Sequence, residues 1–222
     1  MNRILQSILF VILPLLFFSG ASAGPGNWVV VEEEGPAAAP APQAFTAQEM
    51  KRMGVFLSNF TEVGLYDVDA AALLAGRDPQ ALLHFGMRHN YINAFKRTVK
   101  SCPVPDCPHG SLVMDAADVG RVYLRYLGSG PAQPVRCPGY AYFDGRRYHF
   151  EGADGEAVYY ARVRSARRLP GGEVEMRGDI YNADEPSDVP ATFVALARDH
   201  TWNKKPAWAL ISLRSSFKEP RR

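Results

Sequence analysis

Few features of this sequence mark a known chemistry, and what is missing narrows the field first. No nucleophile-elbow serine, phosphate-cradling glycine loop, HExxH helix or calcium loop occurs in the 222 residues. That removes the commonest signatures of hydrolases, nucleotide binders and metalloproteases. An excess of charge is also missing. The 25 Lys and Arg against 23 Asp and Glu leave a formal net charge of +2, too little for the strongly basic face of a nucleic-acid binder. Cysteine is scarce and odd in number, three in all, so the thiols cannot all pair within one chain. The longest apolar run, Ile4 to Phe18, is shorter than the ~20 residues a membrane span needs, and Pro14 interrupts it.

That run reads as an export signal. Arg3 supplies the positive n-region, and Ala21-Ser22-Ala23 fits the small-residue cleavage pattern, so a cut is predicted after Ala23. No cysteine stands at the cut to accept a lipid. The mature chain is expected to be exported, periplasmic or secreted, with no stable membrane span. Removing 23 of 222 residues leaves 199, enough for one domain with its own core. Residues 24–44 contain GPAAAPAP and read as a Pro/Ala-rich flexible tether. A domain over 45–218 and a basic tail over 219–222 complete the predicted layout.

The first helix is predicted to begin at Thr46, with Glu49 completing a capping box and Phe45 stapling onto Met50. Met50, Met53, Phe56, Leu57 and Phe60 recur at helical spacing and form its core face. Gly64 ends that helix, and Asp69 caps a small Ala/Leu helix. Asp78-Pro79 then starts a helix of about five turns, with Phe85, His89, Ile92, Phe95 (or Lys96) and Val99 on the inward stripe. Asp115 caps a third long helix, which Gly128 stops.

After Pro138 the period changes to two. Tyr140 to Phe143 and Tyr148 to Phe150 flank Asp144-Gly145, a hairpin signal. Further strands are expected at Ala157 to Ser165, Glu173 to Tyr181, Ala191 to Arg198 and Ala207 to Leu213. Arg162, Arg164, Arg167 and Arg168 suit a solvated strand edge that resists edge-to-edge pairing. Helices first and antiparallel strands second give an α+β fold, with N-terminal helices packed on a curved C-terminal sheet. This order is similar to cystatin-like or NTF2-like folds, a likeness that carries no function.

The stretch Asp78 to His109 concentrates the candidate chemistry. In an oxidising compartment Cys102 and Cys107, in a loop held by three prolines, are expected to form a disulfide. Pairing of one of them with Cys137 is the alternative, and a Cys102/Cys107/His109 zinc site lacks an obvious fourth ligand. No metal site and no cofactor are assigned. His84 and His89 are the weak catalytic candidates; His149 and His200, in the strand half, are candidates to converge with them. Asn90 and Asn93 are disfavoured inside a helix and so are expected to bond something specific, a backbone loop or a ligand. With Tyr140, Tyr142 and Tyr160 of the aromatic-rich sheet they form the predicted binding set.

FLSNFTEVGLYDVD followed by LLHFGMRHNYINAFK resembles a pattern of uncharacterised exported bacterial proteins, with an N-F-[ST]-E run and then H-N-Y-I-N. The resemblance covers Phe56 to Lys96 and implies a compartment and a fold, but no catalytic role. The function expected is an exported, non-enzymatic binding or protein-interaction module, its partner an unknown protein or envelope ligand. The alternative is an envelope enzyme, such as a hydrolase, with a cleft centred on His and Asn.

Overall fold

A computed structural model of the protein describes residues 44–152 and 158–218. The predicted leader, nearly all of the tether and the basic tail lie outside the described residues. The fold is α+β, with five helices and two antiparallel sheets among the described residues. Among the described residues no helix is long and apolar enough to cross a membrane.

Local capping chemistry starts three of the helices where it was read, at Thr46, Asp69 and Asp78; Asp115, read as the cap of the third long helix, stands at its start but makes no side-chain bond to it. Helix α1 spans Ala47–Thr61, and Thr46 and Glu49 exchange side-chain bonds with each other's backbone N–H. That reciprocal pairing satisfies two donors left over at the helix start. Strand β1 (Val68–Asp69) leads into α2 (Ala70–Leu74), where Asp69 accepts from Ala72 N. Asp78 does the same for Ala81 N at the start of α3 (Pro79–Asn93). α3 ends at Ala94, and a short α4 (Phe95–Thr98) follows, so the five-turn helix expected from the spacing is broken. Ile92 and Phe95, assigned to the inward stripe, are exposed, as is Lys96.

The larger sheet has the order β1-β9-β8-β7-β6, using β6 (Tyr159–Arg168), β7 (Val174–Asn182), β8 (Ala191–Trp202) and β9 (Lys205–Phe217). Val174, Met176 and Ile180 are fully buried on one face of β7, while Glu175 and Arg177 face outward. Register shifts at Val163/Ser165 and Leu196/Ala197 insert bulges that bend the strands. β8 and β9 extend beyond their expected ends because Asn203 and Lys204, both with positive φ, make a two-residue hairpin turn. β6 is an edge strand, as its arginines implied. Arg164 pairs with Asp179 and Arg167 with Glu175.

Helices α1, α3 and α5 (Ala116–Tyr126) share one core with this sheet. Phe60 stacks on Phe85 at 4.7 Å between ring centres, and Tyr126 sits edge-on to both. Gly86 permits the close crossing of α3 on α5, since a Cβ there would lie 2.5 Å from a methyl of Val119.

A second sheet, of order β2-β3-β5-β4, joins the two halves of the chain: β2 (Val99–Ser101), β3 (Leu112–Asp115), β4 (Tyr142–Phe143) and β5 (Arg147–Phe150). Met114 and Tyr148 point from it into the main core. Val113 and His149, directly paired across β3 and β5, lie on the opposite face and are buried too.

Candidate metal centre

The face of the small sheet that carries His149 is covered by the loop between β2 and β3. Cys102 N donates to Ser111 O and extends the β2–β3 ladder by one step. The chain then turns through Pro103, Val104 and Pro105 to Asp106, which takes a left-handed φ of 47°; aspartate tolerates that conformation better than most residues. It returns past Phe150 at Gly110, whose φ is 122°. A Cβ at Gly110 would lie 2.2 Å from the carbonyl carbon of Phe150, so only glycine lets the loop pass.

This crossing brings three donors together. The sulfurs of Cys102 and Cys107 lie 3.5 and 3.4 Å from Nδ1 of His149, and all three atoms fall within 4.8 Å of one another. The other ring nitrogen, Nε2, is 3.0 Å from Oδ2 of Asp144. Asp144 is held in turn, because its Oδ1 accepts from the N–H groups of Arg146 and Arg147 in the hairpin turn. A neutral His149 with its proton on the Asp144 side presents a lone pair at Nδ1 to both sulfurs.

The electrostatics favour charge on Cys107, His149 and Asp144 but not on Cys102. The N–H of His109 donates to the Cys107 sulfur and holds that thiol below its ordinary value, with Cys102 and His149 adding to the effect. Burial raises the Cys102 thiol, against a backbone bond from Val104 that lowers it. Burial alone would lower His149, but its bonds to Asp144 and Cys107 outweigh that and move it up. The His149 bond is the main reason Asp144 stays well below the usual carboxylate range.

The disulfide expected between Cys102 and Cys107 is not formed, and all three cysteines are free. Both sulfurs are turned toward His149 Nδ1 instead. His149 replaces His109, the third ligand considered from the sequence. His109 lies beside the cluster, its exposed ring stacked 3.7 Å from that of Tyr142. His149, His109, Tyr142 and Cys137 line a groove of about 770 Å³ that gives solvent access to this corner.

The other predicted site residues are spread over the molecule. His84 has both nitrogens engaged, by the Tyr140 hydroxyl at 2.9 Å and the Val63 carbonyl at 2.8 Å. His89 is buried against Tyr126, with Nδ1 3.5 Å from Glu62. Asn90 spends its amide on the Gly86 and Asp118 carbonyls and ties α3 to α5. Asn93 instead points to Glu62, so the two asparagines share no surface. Asn93 and Tyr160 do line one groove, beside α1. Asp144 was read only as a turn residue, and its spacing of five from His149 was the available clue. Comparison of the chain with protein-family models, curated proteins and solved structures finds no match.

Proposed function

We propose that the protein is an exported binding module whose centre takes one thiophilic divalent ion, zinc being the fitting case, on Cys102, Cys107 and His149. The observation that carries this reading is the spacing of the donors. Zn–S bonds of ~2.3 Å and Zn–N bonds of ~2.0 Å at tetrahedral angles set the S···N edge at ~3.5 Å. The two S···N separations are 3.5 and 3.4 Å. Asp144 behind the histidine supplies the carboxylate–histidine–metal arrangement that orients a ligand ring and raises its basicity. The His109 N–H on the Cys107 sulfur favours the thiolate that a metal requires, whereas burial keeps Cys102 toward the thiol, so its proton leaves as the metal binds. Three protein ligands leave a fourth position for water or for a donor from a partner, which suits a module that presents its ion.

The test is native mass spectrometry of the full exported chain, reduced and then given one equivalent of zinc. One bound zinc is expected, with none in the C102S/C107S double variant and weakened binding in H149A. Free thiols that take up no zinc, or zinc retained by the double variant, would overturn the reading.

One observation favours a second reading as an enzyme. Cys107, His149 and Asp144 form a thiol–imidazole–carboxylate relay, the arrangement that activates a cysteine nucleophile. The two readings separate on alkylation. A nucleophile makes Cys107 far more reactive to iodoacetamide than Cys102, whereas a metal site protects both thiols when zinc is added.

A further inference from the structure

A second groove, remote in composition from the thiols, runs between α1 and the outer side of β6 and β7. Its volume is about 580 Å³, within the ~300–1,000 Å³ range of small-molecule clefts. One wall is tyrosine. Tyr160 and Tyr181 are cross-strand partners with ring centres 6.1 Å apart, and the Arg162 guanidinium lies 4.4 Å from the centre of the Tyr181 ring. The other wall is α1, with Asn59 and Glu62 joined by Asn93 of α3. The α1–β6 contact behind the groove is fixed by polar bonds, from Ala161 N to the Ser58 hydroxyl and from the Thr61 hydroxyl to Tyr159 O.

Glu62 is the unusual member. Only 7% of its side chain is exposed, yet it is a carboxylate, and a buried charge is costly unless its oxygens are met. Asn93 donates to Oε1, and His89 lies 3.5 Å from the same oxygen. No bond from a described residue to Oε2 accompanies these, and Oε2 is not sealed from solvent. A carboxylate whose side chain is nearly buried, with one oxygen open in the wall of an aromatic groove, offers an acceptor to a donor from outside.

We propose that this groove binds a carbohydrate chain. A cationic ligand would meet Lys51 and Arg162, and a simple anion would meet Glu62. A sugar hydroxyl donates and accepts at once, so a pyranose donates to Glu62 Oε2 while accepting from Arg162 or Lys51. Tyrosine rings supply the flat apolar surface on which the C–H face of such a ring packs. The groove shares none of its lining with the thiol cluster, so the two sites stand or fall separately.

The experiment titrates the full exported chain by calorimetry with chitotetraose, maltotetraose and cellotetraose in turn. At least one is expected to bind. The Y160A and E62Q variants should each weaken it by about tenfold or more, the cost of a lost charged hydrogen bond or stacking face. The C107S variant should bind as the parent does. Y181A, on the outer face of the sheet, repeats the test should E62Q fail to fold. No binding of any of the three sugars would overturn the proposal, and so would binding that Y160A, Y181A and E62Q leave unchanged.

Discussion

Nε2 of His149 sits 3.0 Å from Oδ2 of Asp144, at the start of the same hairpin. The aspartate therefore decides which nitrogen of the ring faces the two thiols. Replacing it by asparagine keeps an oxygen for the turn N–H groups but removes the charge that orients and polarises the imidazole. D144N should keep the fold and lose about ten- to hundredfold in zinc affinity, as expected for the residue behind a ligating histidine. Competition with a chromophoric chelator measures this directly. An unchanged affinity would mean that the Asp144 contact serves the turn alone.

Gly110 is the loop's fixed point. Its φ of 122° and the 2.2 Å approach to Phe150 leave no room for a side chain. G110A should move the loop off the sheet, cost roughly 1–3 kcal/mol for backbone forced from its conformation, and weaken zinc uptake in proportion. Urea unfolding of the metal-free chain and zinc titration of the same sample separate the two effects. A variant of parental stability that still binds zinc tightly would show that the loop has another way past Phe150.

How far the chain could be read from its sequence follows from the range of each interaction. The caps at Thr46, Asp69 and Asp78 bond residues three positions away, and β7 shows its faces within nine residues. Both kinds of signal lie inside a reading window. The small sheet does so only in its β4–β5 hairpin, which Asp144-Gly145 marks. β2 and β3 have three and four residues, too few for a period of two to emerge, and the β3–β5 pairing joins Val113 to His149 across the whole of α5. The metal candidate inherits that difficulty. Cys102 and Cys107 were legible as a pair, but their third partner lies 42 residues beyond Cys107 and is chosen by strand register. The break in α3 was hidden for a different reason. Residues 94–98 keep helical spacing, and only the extended φ of −144° at Ala94 interrupts it.

Glu175 carries the clearest pH dependence. It accepts from Arg167 and Arg177, each at 2.9 Å. Those two bonds, the Arg177 bond foremost, bring its carboxyl from an ordinary 4.5 down to about 2. A carboxyl lowered by folding contributes stability above its unfolded value and loses it as pH falls toward the folded value. Acid should therefore remove this contribution between about pH 4.5 and pH 2. The E175Q variant, which has no proton to bind, should show a shallower loss of stability over that window. Chemical unfolding at pH 7 and at pH 3 provides the comparison. Equal slopes for parent and variant would show that solvent screens these exposed pairs completely.

The aromatic cluster around Phe85 allows a direct test of the core. Phe85 is fully buried, stacks on Phe60 at 4.7 Å, and meets Tyr126 edge-on at 6.1 Å. It therefore ties α3 to α1 and α5 at once. Truncation to alanine removes both ring contacts and leaves a cavity that the surrounding rings are too stiff to fill, at a cost of about 3–5 kcal/mol. F85L keeps most of the volume and should cost less than half as much. The small sheet meets this core through Met114 and Tyr148, so F85A should also loosen the thiol cluster. Thermal unfolding followed with and without zinc distinguishes a local from a shared effect. If zinc raises the Tm of F85A by as much as it raises that of the parent, the metal site folds independently of the aromatic core. A smaller rise means that the cluster depends on the helices behind it.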